Sequence, residues 1–260
     1  MEILPLESLS LDLWVFAALC VMSFLAGFID SIAGGGGLIL LPALLVAGLP
    51  PQLALGTNKL SAICGVTTSL ANFARSGKIL WKIAAMGLPF SLLGAMAGSR
   101  VVLLLNQTIA TKIILFILPV IAVITLFPHK ELKTATHMLS KKAFYLYTPL
   151  ICLVLGFYDG FFGPGTGTFL IFGFFFFLKL HLVNASGLAK VFNFASNLGA
   201  FVVFAASGSI LYRVGLPAAL FNILGAYIGS RLAISKGQPV IRFFLLLVFG
   251  LLFITLIIKV

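Results

Sequence analysis

Ten apolar runs succeed one another along this chain, at residues 13–29, 37–48, 57–75, 83–104, 111–127, 144–158, 166–178, 185–206, 214–233 and 243–258. A helix needs about 20 apolar residues to cross the hydrocarbon of a bilayer, and most of the runs approach that length. A soluble domain of 260 residues would have to clothe its surface with polar groups, yet only 9% of this chain is charged and its mean hydropathy is +1.20. The usual charged share is about 25%. The pattern excludes a soluble enzyme and a nucleic-acid module. The net charge of +11 does not restore the latter, because the cations are scattered between apolar runs, as membrane flanks are. The expectation is an all-α integral membrane protein with about 8–10 membrane segments. Residues 1–12 carry Glu2, Glu7 and Asp12 and no Lys or Arg, which does not suit a secretory signal.

The runs repeat. Gly27-Phe28-Ile29-Asp30 recurs as Gly156-Phe157-Tyr158-Asp159, 129 positions later, and Gly34 and Gly36 fall on Gly163 and Gly165 at the same offset. Lys59 falls on Lys190 at offset 131. Gly77-Lys78-Ile79-Leu80 and Gly98-Ser99-Arg100 fall on Gly208-Ser209-Ile210-Leu211 and Gly229-Ser230-Arg231, again at 131. The chain therefore divides into a first half, 1–127, a connecting loop, 128–143, and a second half, 144–260, with five runs in each half.

Cations set the expected topology. Arg75, Lys78 and Lys82, the four lysines Lys130, Lys133, Lys141 and Lys142, and Lys236 with Arg242 belong on the cytoplasmic side by the positive-inside rule. Loop 207–213 then falls outside, opposite its counterpart 75–82, so the halves are inverted relative to each other. With Lys179, ten cations lie inside; Lys112, Arg213 and Lys259 lie outside; Lys59, Arg100, Lys190 and Arg231 are embedded. Both termini are expected outside. Inverted repeats with broken helices are a plan of secondary transporters.

Segments 37–48 and 166–178 are short, and each follows a Gly-rich break: Ser31-Ile32-Ala33-Gly34-Gly35-Gly36-Gly37, and Gly160 to Thr168, which contains Gly163, Gly165 and Thr166. Such breaks are tolerated at membrane depth only when protein or a cavity surrounds them. A helix starting after a break turns free N–H groups and a positive dipole end toward it, which favours an anion. No Gly-Lys-Ser/Thr follows the glycines, so neither break is a P-loop.

Six acidic residues occur in all, and Asp30 and Asp159 occupy equivalent places immediately before the two breaks. A charge at membrane depth costs about 2.5–3.5 kcal/mol on insertion scales. Three roles are open: coupling or gating with protons, capping of the half-helix that follows, and pairing with Lys59 and Lys190. Lys59, with Thr57 and Asn58, and Lys190, with Asn193 and Asn197 at helical spacing, are the candidate anion ligands together with Gly34, Gly35, Gly36, Gly163, Gly165 and Thr166. Both lysines lie near a segment start, so the bland alternative is snorkelling to an interface. Ala62 and Val66 stand where the second half has Asn193 and Asn197, so the half-sites are unequal. Arg100 and Arg231 are read as helix-end residues beside tightly packed glycines. Cys20, Cys64 and Cys152 lie in apolar runs without metal spacing and are read as packing residues. No cofactor is implied.

The stretch from Gly27 to Lys59, with Gly-Phe-Ile-Asp-Ser-Ile-Ala-Gly-Gly-Gly-Gly and Gly-Thr-Asn-Lys, resembles the sulfite exporter TauE/SafE family of membrane permeases, in its branch of probable membrane transporters. Gly-Phe-Tyr-Asp-Gly-Phe-Phe-Gly-Pro-Gly-Thr-Gly from Gly156 and Ser-Lys-Gly-Gln at 235–238 agree. The resemblance implies a multi-pass inner-membrane transporter of a small sulfur-containing or organic anion, of the sulfite or sulfonate type. The expected partners are that anion, the lipid bilayer, protons as a candidate coupling ion and a homo-oligomer as an open option, with no nucleic acid. The rivals are an anion channel and, less favoured, an intramembrane enzyme. The latter lacks a DDxxD, an HExxH or a serine with an evident histidine partner.

Overall fold

The computed structural model describes residues 12–113, 143–237, 239–241 and 243–244. Four helices form the first half: α1 (Leu13–Ala33), α2 (Gly37–Val46), α3 (Pro51–Arg75) and α4 (Trp81–Leu104). The second half opens on a π-helical turn, Ala143–Tyr147, and continues as α5 (Thr148–Phe161), α6 (Thr166–Phe177), α7 (Leu182–Ala206) and α8 (Tyr212–Lys236). Residues 107–113, 239–241 and 243–244 are also helical, and no strand occurs among the described residues. Most of segments 111–127 and 243–258, most of the 128–143 loop and both termini lie outside the described residues.

The halves match element by element. Helices α3 and α7 have 25 residues each, and each ends in Ser-Gly, with Gly77 and Gly208 both at φ +68°. Helix α2 has 10 residues and α6 has 12, which reach about 15–18 Å and so cover roughly half the hydrocarbon. Five helices are long and apolar enough to cross a membrane: Leu13–Ala33, Trp81–Leu104, Phe144–Phe161, Leu182–Ala206 and Tyr212–Lys236. Helix α3 is as long but carries Gln52, Asn58, Lys59, Asn72 and Arg75.

Packing is symmetric under exchange of the halves. Helix α1 lies along α8 as α5 lies along α4, α3 packs on α8 as α7 packs on α4, and α3 and α7 meet between them. Small residues make these contacts close: a Cβ on Gly94 of α4 would sit 2.4 Å from the Leu153 carbonyl of α5, and one on Gly225 of α8 would sit 2.0 Å from the Phe24 carbonyl of α1. Helices α3 and α7 run antiparallel. Gly56, early in α3, abuts Ser209 after the end of α7, and Gly187, early in α7, abuts Lys78 after the end of α3. Gly98 and Gly229 also approach neighbouring backbone within contact distance, while Arg100 and Arg231 that follow are exposed.

Two helix starts differ from the sequence expectation. Helix α3 begins at Pro51 and α7 at Leu182, not at 57 and 185. Proline at the first turn lacks only an N–H that would have no partner there, so Pro51 starts a helix through the polar stretch 52–59. Lys59 and Lys190 are thereby more than two turns inside their helices, where they are wholly buried and do not snorkel.

Candidate functional site

The two Gly-rich breaks meet. Helix α1 stops because Gly34 turns left-handed at φ +82° while its N–H donates to the Asp30 carbonyl at 2.8 Å. Helix α5 stops at Phe161, and Gly163 and Gly165 take φ of +97° and +82° before α6 starts. Thr168 then ties the breaks together: its N–H donates to the Gly34 carbonyl at 3.2 Å and its hydroxyl to the Ala33 carbonyl at 2.8 Å. A Cβ on Gly34 would lie 2.3 Å from the carbonyl carbon of Gly167, and one on Gly167 would lie 2.5 Å from Gly34 Cα. Only glycine permits this crossing.

Both buried lysines reach across the halves to this junction. Lys59 Nζ, on α3, stands 2.9 Å from Oδ1 of Asp159 on α5, with side-chain exposures of 2% and 4%. Lys190 Nζ, on α7, donates to the carbonyl of Asp30 on α1 and stands 3.9 Å from its Oδ2, with exposures of 0% and 27%. Each half thus supplies the ammonium to the other half's carboxylate. Asp30 also receives the Gly36 N–H on Oδ1 at 3.2 Å, at the start of α2. Asp159 receives the Ser196 hydroxyl on Oδ2. Pairing and capping therefore coexist at Asp30, and pairing with a serine contact holds Asp159.

Glycine is favoured at the second break by its left-handed backbone, with Gly163 at φ +97°, and Lys59 Nζ packs directly against it. A Cβ on Gly163 would come within 2.8 Å of Lys59 Nζ. The Thr166 hydroxyl donates to the Gly163 carbonyl at 2.7 Å, and the Tyr158 hydroxyl to the Pro164 carbonyl at 2.5 Å. These bonds fix the loop's shape. Asn193 is placed beside the crossing, since an added Cβ on Gly167 would be 2.7 Å from its Nδ2. Its Oδ1 is buried without a hydrogen-bond partner among the described residues. A buried amide group left open costs about 1–3 kcal/mol, so it is a group awaiting a partner.

Gly34, Gly36, Gly163, Gly165, Thr166, Asn193 and the four charged residues thus gather at one junction. Gly35 accepts the Leu38 N–H at 3.0 Å within the first break, and Asn58 is buried one residue before Lys59. Two expected ligands are committed elsewhere. Thr57 accepts the Leu211 N–H at 3.0 Å, at the start of α8, and the Asn197 amide donates to the Asn193 carbonyl of its own helix at 2.7 Å. Helical spacing groups Lys190, Asn193 and Asn197, but it does not exclude a side chain that folds back on its own turn. Ser196 was missed because its position six after Lys190 lies about 120° around the helix from that lysine, off the face that helical spacing picks out.

A family model for the sulfite exporter TauE/SafE matches residues 19–256. The chain is 40% identical over 236 residues to a probable membrane transporter protein ORF9 of a Sinorhizobium species, covering 90% of this chain and 89% of that one. It is 38% identical over 228 residues to a probable membrane transporter protein of Haemophilus influenzae, covering 88% and 89%. It is 36% identical over 230 residues to the probable membrane transporter protein YfcA of Escherichia coli K12, covering 88% and 84%. No solved structure matches. The range 19–256 contains both breaks and the four junction charges, and the chain belongs to the sulfite exporter TauE/SafE family of membrane transporters.

Proposed function

We propose that this transporter carries a small anion of the sulfite or sulfonate type across the inner membrane by alternating access, with its two halves inverted in the bilayer and both termini outside. The observation that carries the reading is the crossed pairing of Lys59 with Asp159 and Lys190 with Asp30 where the breaks meet. Two ammonium groups, the starts of α2 and α6 and the open Asn193 amide converge there, which is a set suited to an oxyanion. The carboxylates hold the lysines while no anion is present. An arriving anion takes a lysine from its aspartate, and a proton taken up with the anion would keep the charge of the site balanced at membrane depth. Anion and proton would thus move together.

The pairs are unequal. Asp159 is buried with Lys59 and Ser196, whereas Asp30 keeps 27% exposure. We take the Asp30 pair as the one open to exchange in this conformation, and the Asp159 pair as its counterpart in the opposite-facing one. Reconstituted liposomes offered sulfite, thiosulfate, a sulfonate and a carboxylate test the proposal. Saturable flux with counterflow for one oxyanion is expected. A linear, non-saturating current would replace the carrier with a channel.

A further inference from the structure

A cavity of about 650 Å³ lies away from this junction, between the C-terminal ends of α3 and α8. Its lining includes Asn72, Arg75, Ser76, Ile228, Arg231 and Ser235. Asn72 is held in place by its amide donating to Ser230 Oγ at 2.8 Å. Arg231 is held by stacking, with its guanidinium carbon 4.1 Å from the centre of the Tyr227 ring. Stacking leaves the in-plane N–H donors of a guanidinium free for an anion. Among the described residues neither guanidinium is ion-paired to a carboxylate, and no Asp or Glu occurs between residues 31 and 130 or after Asp159.

The repeat supplies an internal control. By the repeat offset of 131 the equivalent place lies at the ends of α7 and α4, where Arg100 stands for Arg231. Val203, Ala206, Ala97 and Leu104 replace Asn72, Arg75, Ile228 and Ser235 there. The fold therefore does not require a polar residue at 72, 75 or 235: the copy keeps Arg100 and Ser207 but lacks the second arginine and the asparagine. The polar cleft belongs to the end of the molecule that carries Arg75, Lys78, Lys82 and Lys236.

The cleft also has an apolar approach. Leu216, Leu220, Leu224 and Ile228 are exposed at every fourth residue of α8, an apolar ridge that leads to Arg231. We propose that the cleft binds an anionic phospholipid, with the headgroup phosphate between Arg75 and Arg231 and an acyl chain along this ridge. Anionic lipid is enriched where such basic segments lie. The site is independent of the transported anion, since none of its residues touches the junction of the breaks.

Titration of delipidated, detergent-purified protein with phosphatidylglycerol, phosphatidylcholine and inorganic phosphate, read by native mass spectrometry, tests the site. Saturable phosphatidylglycerol binding is expected, with no comparable binding of phosphatidylcholine. The Arg75→Gln, Arg231→Gln protein should bind phosphatidylglycerol about 30-fold more weakly, and Arg75→Gln alone about fivefold more weakly. The single variant, altered only at the last residue of α3, keeps the test decisive if the double variant does not fold. Wild-type phosphatidylglycerol affinity in the variants would overturn the proposal. So would displacement of the lipid by inorganic phosphate at equal concentration, which would mark a site for soluble anions.

Discussion

Lys59 places its ammonium nitrogen 2.9 Å from Oδ1 of Asp159, and the two side chains come from opposite halves of the repeat with almost no exposure. Lys190 and Asp30 repeat the relationship in the other direction, more loosely and with the carboxylate partly open. An isolated buried charge is costly, so each residue constrains the other. The crossing makes the halves interdependent at the level of charge, beyond their helix packing.

The tight pair should behave as a unit in stability. Lys59→Ala leaves Asp159 buried without its counter-ion and should cost about 3–5 kcal/mol. Adding Asp159→Asn to that variant should restore much of the loss. Thermal unfolding in detergent measures both. A double variant no more stable than Lys59→Ala would mean that the pair is not coupled in the folded protein.

Lys190→Ala should eliminate anion binding while the protein still purifies folded, because Asp30 is partly exposed and can be solvated when its partner is lost. A hydrogen bond from a charged donor is worth about 1.5–3 kcal/mol, so the loss should be readily measurable by calorimetry. Wild-type affinity in Lys190→Ala would remove this lysine from the site.

Proton coupling is tested at the aspartates. Asp30→Asn or Asp159→Asn should keep anion binding and abolish the response of liposome uptake to a pH gradient. If the carboxylates act only as caps and pair partners, the double Asn protein should respond to the gradient as wild type does, keep the cap that an Asn oxygen still accepts at position 30, and lose about 3–5 kcal/mol because Lys59 stays buried without its counter-ion.

Gly34→Ala should be far more damaging than Gly48→Ala. Both glycines have positive φ, +82° and +88°, so both substitutions carry a backbone cost of about 1–2 kcal/mol. Only at Gly34 would the new Cβ collide, 2.3 Å from Gly167, whereas nothing lies within 4 Å of the one at Gly48. Equal shifts in melting temperature would show that the two breaks do not pack together.

Topology can be read with an impermeant thiol reagent. Ser207→Cys, Leu4→Cys and Ile258→Cys should label in intact cells, and Lys78→Cys only after lysis. Labelling of Lys78→Cys in intact cells, with protection at Ser207→Cys, would invert the orientation.

The local sequence determined much of this protein. Long apolar runs left membrane helices as the fold, because backbone polar groups must be satisfied within a segment in lipid. The offsets linking Asp30 to Asp159 and Lys59 to Lys190 mark two matching halves, and the glycine runs by themselves locate the breaks. The tertiary structure decided which lysine meets which aspartate. Periodicity orders side chains on one helix, but Lys190 and Asp30 are 160 positions apart, and their meeting depends on how helices from the two halves pack. It likewise decided that Thr57 serves the start of α8, that Asn197 turns back on its own helix, and that Ser196 reaches Asp159. A short polar side chain has several partners within reach, and only the packed neighbours select one of them.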